Sequence, residues 1–278
     1  MVRTYEAAPG IQILTSSFPI PGFGVVPINA FVLEGPEPVL VDTGAVVERE
    51  EFLRALRSVI DPRDLRWVWL THTDFDHIGS LQPLLAENPQ LRVITTFLGA
   101  GIMSLFAPLA PERVYFVNPG ERLALASRTL VAVRPPTFDN PCTTGFLDES
   151  TNVLFSSDSF GALLSEVPDR ADELSPDVLS EGQVFWTTVD APWVHRVDPA
   201  AFRADLDRIA RLAPRMILSN HLPPAPGSMI EQLLGSLAAA RTAPPFVGPD
   251  QASFQQMLAA VALGAPTASS HAAPLTPT

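Results

Sequence analysis

Between residues 11 and 44 the apolar runs are short and broken by proline and glycine, a pattern that predicts strands joined by tight turns. The predicted strands here cover residues 11–14, 29–33 and 39–41. The period then changes to that of an amphipathic helix over residues 47–59, and Pro62 ends that element. Residues 67–70 form an unbroken apolar run, which is typical of a strand buried on both faces.

Strands and helices continue to alternate along the rest of the chain. We predict helices at residues 81–85, 200–212, 230–239 and 250–263, and strands at 91–95, 114–117, 129–133, 153–155 and 216–218. This order favours an αββα sandwich of the α+β class, in which two mixed sheets pack face to face with helices outside. We expect one domain over residues 1–263, followed by a disordered Ala/Pro/Ser/Thr-rich tail at 264–278.

Composition excludes several classes of function. Thirty acidic residues against eighteen basic ones give a net charge of −12, which disfavours binding to nucleic acid or to an anionic membrane surface. Cys142 is the single cysteine, so neither an intrachain disulfide nor a Cys-based zinc cluster can form. Because no apolar run resembles a signal peptide or a membrane helix, we expect a cytoplasmic protein.

The segment that carries chemistry follows the buried strand at 67–70. It places His72, Asp74, Asp76 and His77 within six residues of loop. Such a group pointing into a cleft would be destabilised by desolvation and repulsion unless a cation held it, and both residue types are common metal ligands. The alternative is a solvated loop whose aspartates cap the next helix, but that interpretation leaves both histidines without a role.

His72-x-Asp74-x-Asp76-His77 resembles the His-x-His-x-Asp-His signature of the metallo-β-lactamase superfamily, with Asp74 at the second histidine. A carboxylate at that position resembles the flavodiiron proteins and the related oxygen-binding diiron proteins, which carry glutamate there. This chain has the shorter aspartate instead. The resemblance implies the metallo-β-lactamase fold and a dinuclear metal site.

Further positions match the same superfamily. Asp158 and His221, each after an apolar strand, resemble its bridging aspartate and its last histidine. The intermediate histidine is missing, and Asp139 stands at its spacing, although Asp-Asn-Pro is also ordinary turn chemistry. Asp42, after the strand at 39–41, resembles the early aspartate that braces the metal loops.

Carried over by resemblance, the ligands fall into two sets that share one aspartate. The first metal would take His72, Asp74, Asp139 and Asp158, and the second would take Asp76, His77, His221 and the same Asp158. Four carboxylates and three imidazoles form a hard, oxygen-rich set that favours iron, with manganese or zinc as alternatives. The family's flavodoxin domain has no counterpart and no glycine-rich phosphate loop is present, so we expect no bound flavin in this chain.

Other side chains have two interpretations each. His195 precedes the helix at 200–212 and could act at the metal cleft as a proton source or as a hydrogen-bond donor, or it could be purely structural. Phe185, Trp186 and Trp193 could wall the pocket, although aromatic clusters are more often core. Cys142 could be a free thiol in the site, but a buried inert cysteine is the more ordinary outcome.

The sequence is compatible with three functions. The favoured one is a diiron oxidoreductase or oxygen-binding protein that acts on O2 or NO, fed by a separate electron-donor protein. The second is a hydrolase for an ester, thioester, lactam or phosphodiester, in which both metals polarise the small-molecule substrate. The third is a sensor whose metal pair alters partner binding. The related diiron proteins also suggest a homodimer.

Overall fold

The computed structural model describes residues 1–262, which hold thirteen strands and seven α-helices. The strands are β1 (Arg3–Ala8), β2 (Ile11–Ile20), β3 (Gly24–Leu33), β4 (Val39–Val41), β5 (Trp67–Trp69), β6 (Arg92–Thr95), β7 (Val114–Phe116), β8 (Arg122–Ala124), β9 (Thr129–Val133), β10 (Gly145–Asp148), β11 (Val153–Phe155), β12 (Met216–Leu218) and β13 (Ala225–Pro226). The helices are α1 (Arg49–Val59), α2 (Leu81–Glu87), α3 (Phe97–Met103), α4 (Pro176–Asp190), α5 (Pro199–Ala210), α6 (Ile230–Ala240) and α7 (Gln251–Ala262).

The strands form two mixed sheets, which confirms the predicted αββα sandwich. One sheet has the order β1-β2-β3-β4-β5-β6-β7, and its last four strands run parallel. The other has the order β13-β12-β11-β10-β9-β8, and β11 and β12 are its parallel pair. The carboxyl ends of parallel neighbours lie at one edge of a sheet, so this topology places the loops after β4 and β5 side by side, and likewise those after β11 and β12.

Aromatic side chains fill the space between the two sheets. Trp69 and Phe31 from the first sheet meet Phe146 and Phe155 from the second, and all four are at most 1% exposed. The ring centroid of Trp69 lies 4.5 Å from that of Phe146, and Phe31 meets Phe155 edge-on at 5.5 Å. Because burial of each such ring contributes on the order of 1.5–3 kcal/mol, this layer fixes how the sheets face each other.

Helices cover the outer face of each sheet. Phe52 and Leu56 of α1 and Leu84 of α2 pack on the first sheet. Helices α4, α5 and α6 pack on the second sheet through side chains such as Leu179 and Phe202. Within residues 1–262, no helix combines the length and the apolarity that crossing a lipid bilayer requires.

Most predicted elements are present, with ends that move by a few residues. Six elements were not predicted: β1, β8, β10, β13, α3 and α4. Helix α4 was not predicted because many of its buried positions are not apolar, so they give no helical period of apolar residues. They include Gly182, Gln183, Thr187 and Thr188. The helix predicted at 250–263 is α7, but residue 263 and the predicted tail lie outside the described residues.

Candidate metal centre

Four loops meet where strands of the two sheets end. Asp42 follows β4, the His72–His77 segment follows β5, Asp158 follows β11 and His221 follows β12. Backbone hydrogen bonds tie the loops together, including Thr144 N to Thr71 O at 2.8 Å and Asn220 N to Ser157 O at 2.9 Å. The two sheets therefore deliver their loop side chains to one place.

Asp158 lies at the centre of this cluster, and its two carboxylate oxygens face different partners. Oδ2 lies 3.2 Å from Nε2 of His72. Oδ1 lies 3.2 Å from Nε2 of His77 and 3.3 Å from Nε2 of His221. A carboxylate that divides its oxygens between two sets of donors has the arrangement of a bridging ligand.

One set of donors surrounds Oδ2 of Asp158, and we call it the first metal position. Its members are His72, Asp74, Asp139 and Asp158. One ligand atom from each of His72, Asp74 and Asp139 lies within 4.8 Å of the other two, and Nε2 of His72 is 3.8 Å from Oδ1 of Asp139. Asp139 therefore reaches the cluster, as the resemblance implies, and its role as a ligand stays a prediction.

The turn around Asp139 is closed by its neighbour. Asn140 accepts a hydrogen bond from the backbone N of Cys142 at 3.1 Å and donates through Nδ2 to Oδ1 of Asp74 at 2.9 Å. Asn140 therefore closes the turn and orients Asp74, while the Asp139 carboxylate faces His72. Cys142 itself is buried, with Sγ 3.9 Å from Oγ1 of Thr73.

A second set surrounds Oδ1 of Asp158, and we call it the second metal position. Its members are Asp76, His77, His221 and Asp158. Oδ2 of Asp76 lies 3.4 Å from Nε2 of both His77 and His221. The loop residues predicted for the second metal thus converge on one point.

Each of the three histidines uses Nδ1 for a contact outside the cluster. Nδ1 of His221 lies 2.8 Å from the carbonyl of Pro27, which can only accept, so this nitrogen carries the proton. Nδ1 of His77 lies 3.0 Å from Oδ2 of Asp42, and Nδ1 of His72 lies 3.2 Å from Oγ of Ser157. The Asp42 carboxylate accepts and the Ser157 hydroxyl can accept from Nδ1 in the same way, and this tautomer leaves each Nε2 lone pair directed toward the central carboxylates, as a metal ligand requires.

Asp42 braces the loops, as the resemblance implies. The fully buried carboxylate accepts hydrogen bonds from N and Oγ1 of Thr71 at 2.8 and 2.7 Å and from Nδ2 of Asn220 at 2.8 Å. It also faces His77, so it connects the loops after β5 and β12. Its backbone has φ of 56°, a left-handed conformation that aspartate tolerates better than most residues.

The electrostatics divide the cluster into charged and neutral groups. Burial would raise the pKa of Asp158, but the rings of His72, His77 and His221 hold it well below its usual range. Burial lowers the pKa of His72, whereas the neighbouring Asp158 raises that of His221 to about 9 against the effect of burial. Burial, followed by repulsion from Asp158 and Asp74, raises the pKa of Asp139 to about 7. The first metal position therefore gathers more negative charge than its own groups neutralise.

The buried polar atoms of the cluster fit a metal pair. Nε2 of His72, Nε2 of His77 and Oδ1 of Asp158 are buried, and no hydrogen bond satisfies them within the described part of the chain. Nε2 of His72 lies 3.2 Å from Oδ2 of Asp158, and Nε2 of His77 lies 3.2 Å from Oδ1, yet neither nitrogen is satisfied by a hydrogen bond among the described residues. Unsatisfied buried groups are costly, and cations bound between the two sets would remove that cost.

Helix α4 lies over this cluster and supplies two side chains that sequence reasoning did not assign to a metal. The Trp186 ring lies 4.8 Å from the His221 ring, and Gly161 makes room for it, because a Cβ there would come within 2.4 Å of Trp186 Nε1. The second side chain is Asp190, and one of its carboxylate oxygens lies within 4.8 Å of an oxygen of Asp139 and of Asp158. The Ser175-Pro176 start of α4, an N-cap followed by proline, was the signal that could have revealed this helix.

The remaining predicted side chains lie elsewhere. Nδ1 of His195 faces the carbonyl of Arg241 at 3.3 Å, and among residues 1–262 no hydrogen bond or ion pair joins His195 to the cluster. Its action in catalysis stays a prediction. Trp193 donates to the carbonyl of Phe138 at 2.7 Å, and Phe185 packs beside Phe23. Of these three described aromatic residues, Trp186 alone has a ring contact with a predicted ligand, a tilted one.

A two-sheet sandwich with acidic and histidine-bearing loops at its strand ends defines a metallo-β-lactamase-like protein. The sequence profile described as ODP family beta lactamase matches residues 26–221, and this chain belongs to that family.

Curated relatives point to the same branch of the superfamily. Rubredoxin-oxygen oxidoreductase from Megalodesulfovibrio gigas is 26% identical over 197 residues, which is 69% of this chain and 48% of that protein. Diflavin flavoprotein A 1 from Synechocystis sp. is 30% identical over 134 residues, which is 48% of this chain and 23% of that protein. The chain thus spans from about a quarter to about half of the length of these relatives.

Solved structures agree on the fold. The rubredoxin oxygen:oxidoreductase from Desulfovibrio gigas superposes with a TM-score of 0.73 at 20% identity, over 87% of this chain and 62% of that one. The flavodiiron protein from Giardia intestinalis gives 0.73 at 17% identity, over 87% and 60%. These likenesses identify the fold of the flavodiiron core.

Proposed function

We propose that this chain holds two iron ions at the two metal positions and uses them to bind or reduce O2 or NO. The observation that carries the proposal is Asp158, whose two oxygens face two separate sets of imidazole and carboxylate donors. The ligands are His72, Asp74 and Asp139 on one side, Asp76, His77 and His221 on the other, and Asp158 between them.

The donor set favours iron over zinc. Four carboxylates and three imidazoles make a hard, oxygen-rich environment, whereas structural zinc prefers more nitrogen and sulfur. The four negative charges also compensate the higher positive charge that iron takes on oxidation. A redox-inert hydrolytic site would gain nothing from that compensation. Manganese satisfies the same ligand preferences and is the next candidate.

When bound, a reduced iron pair supplies the electrons that O2 or NO reduction requires. The chain's own groups hold the ligands in place for it. Asp42 and the carbonyl of Pro27 fix the Nδ1 protons of His77 and His221, so both Nε2 lone pairs stay directed inward. Trp186 covers the His221 ring and limits the approach of water from the α4 side.

The relatives support an electron-transfer context. Rubredoxin-oxygen oxidoreductase and the diflavin flavoproteins carry names that refer to oxygen, rubredoxin or flavin, and each is longer than the part this chain matches. In this chain the electrons would come from a separate donor protein, and a homodimer is part of the same proposal. The proposal also includes a cytoplasmic location for the protein.

Elemental analysis tests the proposal, using protein produced with iron and zinc both available. We expect about two irons per chain and an optical band that differs between anaerobic and air-exposed samples. Two zincs and a spectrum that does not respond to air would contradict it and would favour the hydrolase. Screening of esters and thioesters would then follow.

A further inference from the structure

Asp190 is the last residue of α4, and its carboxylate lies at the edge of the first metal position. One oxygen from each of Asp139, Asp158 and Asp190 lies within 4.8 Å of the other two. Asp190 is only partly exposed, and within the described chain no hydrogen bond or ion pair engages its side chain. Asp190 is therefore a partly buried carboxylate that faces two other carboxylates and has no hydrogen-bond or ion-pair partner in the described chain.

Three carboxylates this close are unfavourable without a cation. Two of them repel each other strongly in a partly buried site, and a third adds to that repulsion. Burial, followed by repulsion from Asp158 and Asp139, raises the pKa of the Asp190 carboxyl, so protonation is the alternative to a bound cation. A cation held between the three groups satisfies them together.

A buried imidazole nitrogen points independently to a cation on this side of Asp158. Nε2 of His72 is buried and unsatisfied, and it lies 3.2 Å from Oδ2 of Asp158 and 3.8 Å from Oδ1 of Asp139. Its lone pair is directed at the same two carboxylates that Asp190 approaches from α4. The imidazole and Asp190 thus face the same pair of carboxylates.

We propose that Asp190 is a further carboxylate ligand of the metal at the first metal position, an inference that rests on the proposed function. Asp139 occupies the place of the family's intermediate histidine, and its side chain is 29% exposed, so it is a loosely enclosed ligand. Asp190, brought by a fifteen-residue helix that packs on the second sheet, closes the site next to it. With Asp190, five carboxylates would surround the two metal ions.

The test compares Asp190→Asn with Asp177→Asn, a matched change at an exposed position on the same helix. Ferrous iron affinity is measured anaerobically on the full chain by competition with a chromophoric chelator. We expect Asp190→Asn to weaken one of the two iron sites by at least about tenfold, and Asp177→Asn to leave both unchanged. Wild-type affinity at both sites in Asp190→Asn would overturn the inference.

A second variant keeps the test decisive if Asp190→Asn also weakens the fold. Asp190→His supplies another ligand type, so Mössbauer spectra of the iron-loaded protein should change for one iron and not for the other. Spectra identical to the wild type would overturn the inference. If the wild type itself fails to bind two irons, the proposed function fails; two irons with no effect of either Asp190 variant overturns this inference alone.

Discussion

The carboxylate of Asp42 lies 3.0 Å from Nδ1 of His77, although the two residues are 35 positions apart in the chain. Asp42 follows β4 and His77 follows β5, and these strands are parallel neighbours. The contact fixes the proton of His77 on Nδ1 and leaves Nε2 for the cluster around Asp158. An aspartate outside the proposed ligand set thus determines how His77, a proposed ligand, presents its Nε2.

Replacing Asp42 with asparagine should weaken the second metal position without removing any ligand. The amide has one oxygen where the carboxylate has two, so it cannot accept from Thr71, Asn220 and His77 together. We expect metal affinity at one site to fall about 10–100-fold. Chelator competition measures this, with Asp64→Asn at an exposed position as the control. Unchanged affinity in Asp42→Asn would show that the brace is not needed.

The bridging role of Asp158 predicts an asymmetry between two aspartate variants. Asp158→Ala removes a ligand from both positions, so it should retain far less metal than the wild type. Asp74→Ala removes a ligand from the first position alone, and we expect it to retain about one metal per chain, since the second set stays complete. Metal analysis after gel filtration makes the comparison. Equal and nearly full metal content in both variants would exclude the bridge.

Gly161 should be intolerant of a methyl group. A Cβ there would lie 2.4 Å from Nε1 of Trp186 and 2.9 Å from Cβ of His221, so one of them must shift. We expect Gly161→Ala to lower the free energy of unfolding by about 1–3 kcal/mol.

Gly235→Ala is the matched control, because this exposed position within α6 has no atom within 4 Å of the added Cβ. It should stabilise the protein by about 0.5–1 kcal/mol. Urea denaturation of both variants measures the difference. Two variants of equal stability would mean that Trp186 can move away at no cost.

The sequence predicted those parts of the fold and site that have a local signature. The run at 67–70 is apolar because β5 is covered on both faces, and Trp67, Val68 and Trp69 are indeed all buried. His72, Asp74, Asp76 and His77 could be grouped because they share one loop. The distant residues Asp139, Asp158 and His221 were found through resemblance to a superfamily, since no local pattern connects them.

What could not be predicted depends on tertiary contacts. Helix α4 buries glycine, glutamine and threonine against the rest of the protein, so its inner face has no apolar period, and Asp190 at its end was not considered. Strand β10 starts at Gly145 and ends at Asp148, both poor strand formers that its central position accommodates. The hydrogen bond from Asn140 to Asp74 likewise arises only in the folded chain.

Anomalous X-ray scattering at the iron edge, on crystals of iron-loaded protein, locates each iron relative to the Asp158 carboxylate. We predict two peaks about 3.5–4 Å apart, one on each side of the Asp158 carboxylate, with His72 beside one and His77 and His221 beside the other. A single peak, or two peaks that do not share Asp158, would contradict it.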